Sequence, residues 1–304
     1  MRPTVSARTA CMSPMRGRAW MLVLLLACCA CSPKYLIAQG VASELAKQGS
    51  ETEDDLVLAR EASAFYLKLS ESVLSQLPAN APLATAVAGG FTQYAYAFVQ
   101  MDAERLASQD AKAAQQLRER ARRLYQRAQQ HALTALEHQT PGFAKALASR
   151  RAADLPSLQS EQVPVAYWAA ASWASLIALS KDDPDVVADL PQVLRLATLV
   201  WQKQPDFGEG AAASLMGSLE SARPGGSAES ATNYFDQAIA MGGGKHAGAY
   251  VSKAESVALA AGDRAAFEAL LQQALTVSRG TRNLHNAIMG ARAQWLLETA
   301  DDLF

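Results

Sequence analysis

The chain has 304 residues, half of them apolar and 19% charged, with a formal net charge of −1. That length allows about two domains of roughly 150 residues or one elongated unit, and the composition excludes a disordered polyelectrolyte. The near-neutral balance argues against general nucleic-acid binding, which needs a basic surplus.

The apolar content is mostly Ala and Leu, and the only isoleucines are Ile37, Ile177, Ile239 and Ile288. Ala and Leu favour helices, whereas strands are built on Val, Ile, Thr and aromatics. The fold class predicted is therefore all-α.

The first segment reads as an address. Arg2, Arg8, Arg16 and Arg18 precede the short apolar run Trp20–Ala27, and no acidic residue interrupts them. A membrane span needs about 20 apolar residues, so a positive start with a short apolar core reads as a secretory signal peptide over 1–30. Cys28-Cys29-Ala30-Cys31-Ser32 comes next. A Cys after small residues and such a core resembles a bacterial lipoprotein cleavage box. Leu25-Leu26-Ala27-Cys28 fits the box best by local pattern. Cys31, however, opens the polar stretch Ser-Pro-Lys of a mature lipoprotein, and we take it as the lipidated residue, with Cys28 the alternative.

The fourth cysteine is Cys11, and none follows Cys31, so the exported part has no disulfide framework and no Cys metal site. The job of the thiol is to carry acyl chains that hold a soluble domain to the membrane. No Asp follows either candidate Cys, which by lipoprotein resemblance implies the outer membrane, facing the periplasm. Four of the 28 basic residues and none of the 29 acidic ones precede Cys31, so the mature chain carries −5.

Residues 31–53 read as a tether, and 54–304 as the helical domain. Helices are predicted over 54–77, from 82 onward, 110–137, 167–180, 190–203, 207–222, 227–241, 246–261, 264–278 and 283–299, separated by Pro and Gly signals. Asp185 is expected to cap the helix beyond Pro184. Helices come in pairs with short turns, the αα-hairpin pattern. Tetratricopeptide repeats place small, bulky and small residues at fixed spacing on the second helix of a pair. Ala231, Phe235 and Ala238 do so, as do Ala121, Tyr125 and Ala128. Val193, Ala197 and Val200 match with a smaller centre, and Phe267, Leu271 and Ala274 match loosely. The expectation is a tetratricopeptide-like superhelix of αα-hairpins.

Spread along the chain are Tyr94-Ala95-Tyr96-Ala97-Phe98-Val99-Gln100, Leu124-Tyr125-Gln126-Arg127-Ala128 and Tyr167-Trp168-Ala169-Ala170-Ala171-Ser172-Trp173. Gly217 with Ala222-Arg223-Pro224, Gly262-Asp263-Arg264 and the tail from Asn286 to Asp302-Leu303-Phe304 continue the series. In this order, behind a cysteine anchor, they make the chain resemble the tetratricopeptide-type lipoproteins that accompany TRAP (tripartite ATP-independent periplasmic) transporters. The resemblance implies a lipid-anchored periplasmic accessory protein, forming a homotrimer, that works with the soluble solute-binding component. It further implies that the protein passes or holds a small apolar ligand. The runner-up is a helical-repeat lipoprotein that scaffolds envelope assembly.

Aromatics can line an apolar pocket on a concave repeat surface. Tyr167, Trp168, Trp173, Trp201 and Tyr250 are the candidate ligand-binding residues, with core packing as the competing role for each. Trp168 and Trp173 are five apart, about 140° round a helix, so at least one is expected to face away from the core. Arg118, Arg120, Arg122, Arg123 and Arg127 read as a solvated face, or as a surface for lipid headgroups or an acidic partner. His131 and His138 are seven apart, too far for co-ligation of a metal on one helix, and no metal or cofactor is expected. Gly242-Gly243-Gly244-Lys245-His246 lacks the Walker spacing and reads as a turn; Asp182, Asp183 and Asp185 lack a calcium loop's glycine and closing Glu. No nucleophile–base spacing argues for an enzyme.

Overall fold

The computed structural model describes residues 33–47, 53–149 and 151–304. The segment read as a signal peptide, with the candidate lipidation sites Cys28 and Cys31, lies outside the described residues. Every regular element among the described residues is helical.

The helices begin and end where elementary capping rules put them. In α2 (Leu56–Gln76) the Asp55 carboxylate accepts hydrogen bonds from the Val57 and Leu58 amides. These amides have no intrahelical acceptor, so a short polar side chain at this position stabilises the start. Asn80 caps α3 (Ala81–Ala95), Asp110 caps α5 (Ala111–Gln139), Asp263 caps α13 (Arg264–Gly280) and Asn283 caps α14 (Leu284–Glu298) in the same way. Between α7 (Val163–Ala178) and α9 (Leu190–Lys203) lies the single turn α8 (Pro184–Val187). Its cap is Asp183, not Asp185: Pro184 takes the first helical position, which leaves Asp185 inside the turn.

One expectation changes at the start of the domain. Part of the stretch read as tether is the helix α1 (Pro33–Lys47), which packs on α2 and α3. Ala38, Ala42 and Leu45 recur at i, i+4 and i+7 and face the core, with Ala42 and Leu45 buried. Two alanines give such a face little hydrophobic contrast, which is why the pattern does not announce itself.

The first helices, α3, α5 and α7, pack on one another around a continuous core that includes Val87, Phe91, Tyr125, Leu136 and Val163. Hairpins then follow in succession: α9 packs on α7 and on α10 (Ala211–Ala222), α10 on α11 (Ala228–Met241), and α11 on α12 (Ala247–Lys253). α12 packs in turn on α13, and α13 on α14. The four small–bulky–small triplets are buried throughout: Tyr125, Phe235, Phe267 and Leu271 lie fully inside, flanked by Ala121, Ala128, Ala231, Ala238 and Ala274. Small flanking residues let the neighbouring helix approach, and full burial of each large side chain contributes about 2–3 kcal/mol. The same logic places Gly217 of α10 against Phe235, where an added Cβ would meet the ring at 3.0 Å.

The chain end returns to the chain start. α14 contacts α2, and Ile288 joins a small core made by Ala59, Ala97, Phe98 and Met101. The tail is the short α15 (Ala300–Leu303), and Phe304 meets Phe267 edge-on with ring centroids 5.3 Å apart.

Candidate functional site

The aromatic candidates fall at four places. Tyr167 and Trp168 stand half-buried near the start of α7, with ring centroids 5.0 Å apart and edge to face. Phe207, in the turn after α9, lies 5.0 Å from the Tyr167 ring and completes a small ledge. Trp168 rests directly on Gly89 of α3, because no side chain there holds the indole off. Burial pushes the Tyr167 phenol up to about 12, so it stays a neutral hydrogen-bonding group at physiological pH. Trp201 of α9 pairs with Tyr234 of α11 at 5.5 Å, and Tyr250 of α12 packs on the C-terminal core with its hydroxyl beside Gly244. Trp173 is 5% exposed and sits inside the main core, so this residue packs the fold and offers no free face.

A second feature escapes the sequence. The α-helical ladder loosens twice, at the π-turns Tyr96–Gln100 and Ala254–Ala258. In each, an amide reaches back five residues: Met101 to the Tyr96 carbonyl and Leu259 to the Ala254 carbonyl. Each such turn inserts one residue and re-aims the side chains after it, and such turns recur at functional sites. Here they bring Glu104 and Glu255 to one guanidinium, with Gln100 bonded behind Glu104. The Tyr125 hydroxyl donates to Gln100 Oε1 (2.7 Å), and Gln100 Nε2 donates to Glu104 Oε1 (2.9 Å). Arg292 of α14 donates through Nη1 to Glu104 and through Nη2 to Glu255 Oε1 at 2.5 Å. Its guanidinium also lies 4.7 Å over the Trp295 ring.

The Arg292 side chain is 9% exposed, and its Nε has no hydrogen-bond partner. Burial disfavours its charge, but Glu255 and Glu104 outweigh burial and hold it protonated. Burial raises the Glu255 carboxyl, opposed by Arg292. Burial also raises Tyr96 and Tyr125, and both remain neutral phenols. The assembly is a half-buried polar junction of two carboxylates and one cation that ties α4 (Met101–Leu106), the second π-turn and α14 together.

The arginine-rich face of α5 is partly tied down across elements. Arg127 grips the Glu71 carboxylate of α2 and lies 5.1 Å over the Phe91 ring; Arg122 reaches Glu119 and Asp183; Arg120 lies over Tyr94. Burial alone would raise Glu71. Hydrogen bonds from Arg127, Lys68 and His131 outweigh it and hold the carboxyl at about 2. A cavity of about 360 Å³ opens beside this cluster, lined by Glu71, Leu74, Pro78, His131 and Thr134. It lies apart from the aromatic ledge.

Near α12, His246 contacts Glu209 at 2.6 Å, and its ring faces His285 at 6.5 Å. The neighbouring side chains crowd His285, and with His246 close by they push that imidazole down to about 4, a shift that solvent moderates because the residue is exposed. The Gly242–Lys245 stretch is a turn, with Gly243 and Gly244 at positive φ. Asn286 fastens the end of that turn from inside α14: its Oδ1 accepts from the Ala247 amide, and its Nδ2 donates to the Lys245 carbonyl. Among the described residues, no three His, Cys, Asp or Glu side chains gather as metal ligands, and no helix is long and apolar enough to cross a membrane.

Two comparisons bear on this architecture. An uncharacterized protein of Treponema pallidum (strain Nichols) is 29% identical over 266 residues, covering 83% of this chain and 81% of that protein. A family model described as TRAP transporter T-component matches residues 52–304, which takes in every helix from α2 to the C-terminus. With a match of that extent, the chain belongs to the TRAP transporter T-component family.

Proposed function

We propose that the protein is a lipid-anchored, non-enzymatic periplasmic component of a TRAP-type system. It docks the soluble solute-binding protein and holds a small apolar ligand on a tetratricopeptide-like superhelix. Family membership over residues 52–304 carries the reading. The ledge of Tyr167, Trp168 and Phe207 supports the ligand part, since half-buried aromatics beside neutral polar groups suit an apolar molecule better than an ion. The anchor is Cys31, or Cys28, in the outer membrane.

Affinity capture of tagged protein from native membranes, followed by mass spectrometry, tests the docking. Recovery of a TRAP-type solute-binding protein is the expected result. Recovery of envelope assembly factors without such a receptor sinks the transport reading in favour of a scaffold. Labelled palmitate incorporation that is lost in Cys31→Ser but kept in Cys28→Ser is expected for the anchor; the reverse pattern moves it to Cys28.

A further inference from the structure

Arg292 and Glu255 make half of a fork. A guanidinium offers Nε–H and Nη2–H along one edge, and a carboxylate can take both. Arg127 closes such a fork on Glu71, and Arg223 closes one on Glu220 at 2.7 and 2.8 Å. Arg292 gives only Nη2 to Glu255 Oε1, and Nε on the same edge has no partner. The arginine side chain is 9% exposed, so water does not make good the missing bond at Nε. Glu255 Oε2 accepts no hydrogen bond from the described residues, and the Glu255 side chain keeps 27% of its surface open. One ion pair is thus left with a spare donor and a spare acceptor.

Few groups answer both. A carboxylate accepts but cannot donate, and it would stand beside Glu104 and Glu255. An ammonium donates but cannot accept, which leaves Nε bare. A hydroxyl does both: its oxygen accepts from Nε–H and its own proton goes to Oε2.

The pair belongs to the same part of the fold as the aromatic ledge. Trp168 and Ser175 are seven residues apart on one face of α7, about 10 Å along the helix. Trp168 rests on Gly89, while Ser175 stands beside the Tyr125 hydroxyl, which donates to Gln100 and so leads to Glu104. Between them α7 shows the small, partly open Ala171. Helix α10 touches both α7 and the second π-turn, so it joins the ledge to Glu255. Tyr96, Tyr167 and Glu255 each keep some open surface, yet burial raises the pKa of all three. A group on an outer surface has neighbours on one side only; these have them nearly all round, as the walls of a concavity do.

We propose that the open edge of the Arg292–Glu255 pair is a hydroxyl-binding subsite. The molecule held is an amphiphile whose apolar body lies on Trp168 and along α7 and whose alcohol group bridges Arg292 Nε and Glu255 Oε2. This assignment rests on the ligand-holding reading above and names the class of molecule held.

Equilibrium dialysis of the full chain in nanodiscs, with empty nanodiscs as the blank, measures binding of octanol, octanoate and octylamine. Octanol should bind about tenfold tighter than either ion. Glu255→Gln turns the spare acceptor into a donor and should weaken octanol about tenfold without weakening octanoate, with far-UV circular dichroism as the control for folding. Trp168→Ala should weaken all three alike. Absence of binding by any of the three overturns the ligand-holding reading and the subsite with it. Equal binding of all three, or either ion ahead of octanol, leaves the ledge as an apolar site and overturns the hydroxyl assignment alone; the half-made fork then holds water only. A preference for octanol that survives in folded Glu255→Gln also overturns it, because the alcohol then sits elsewhere. The ranking on the wild-type chain stands whether or not that variant folds.

Discussion

The indole of Trp168 lies on the bare backbone of Gly89, so close that a Cβ there would stand 2.7 Å from Cε2 of the ring. This contact sets the depth of the aromatic ledge, because α3 can approach α7 only where it carries no side chain. Gly89→Val should lift the indole and destabilise the fold by about 1–3 kcal/mol, the usual range for overpacking. Urea denaturation measures the loss, and a shifted tryptophan emission maximum reports the displaced ring. Unchanged emission would show that the indole does not rest on Gly89.

Trp168→Ala removes the ledge's largest surface without touching a charged partner. Binding of an apolar fluorescent probe should weaken by about tenfold or more, consistent with about 1.5–3 kcal/mol for a buried large side chain. Far-UV circular dichroism should stay the same. Equal binding by wild type and variant would take Trp168 out of the site.

Arg292 separates two half-buried carboxylates. Arg292→Met leaves Glu104 and Glu255 facing each other with no cation between them. The expected cost is about 3–5 kcal/mol, mostly from the uncompensated charges rather than from the lost attraction. Adding Glu104→Gln and Glu255→Gln to Arg292→Met should recover most of it. A denaturant midpoint in the triple variant as low as in the single one argues against this account.

Two groups give acid sensitivity of the same sign. The His285 imidazole is held at about 4 by packing and by His246, below its ordinary 6.5. Between these values the unfolded chain binds the extra proton, so stability rises with pH across that window and falls on acidification. Because the ring keeps an open surface, the effect should be about 1 kcal/mol, and His285→Gln should flatten the profile there.

Glu71, held at about 2, acts in a lower window. Its contribution is present above its ordinary 4.5 and is lost as pH falls toward 2. Glu71→Gln should cost about 1–2 kcal/mol at pH 7 and little near pH 2. Thermal melts at stepped pH separate the two residues. A Glu71→Gln deficit that persists at pH 2 is packing, not charge.

Much of the helical layout could be read from residues alone, because it depends on local chemistry. Proline and glycine breaks such as Pro184 and the Gly242–Gly244 turn act over one helical turn, and most predicted helix ends lie within a residue or two of the observed ones, whereas the one predicted cap, Asp185, gives way to Asp183. The small–bulky–small triplets marked core positions for the same reason. The polar junction stayed hidden because its parts are remote: Arg292 is 188 positions from Glu104 and 37 from Glu255. The π-turns hid too, since one inserted residue in an Ala-rich pattern leaves the apolar spacing nearly unbroken. One signal is present in the sequence: Arg292 interrupts the apolar face made by Ile288, Met289, Trp295 and Leu296. Trp173 was ambiguous for a different reason. Its five-residue offset from Trp168 placed one of the two outward but could not say which, and burial decides it.

Ile288 packs among Ala59, Ala97, Phe98 and Met101, while Arg292 reaches Glu104 from the same helix. In an open array of repeats each unit answers only to its neighbours, and the ends are free to fray. Here the terminal unit borrows its support from the opening one, so neither can melt without exposing the other. Heat or denaturant should therefore find no weak end to peel, and the molecule should lose its structure in one step. With the proposed anchor near its start, the protein is in this way guarded at both extremities by the same small set of side chains.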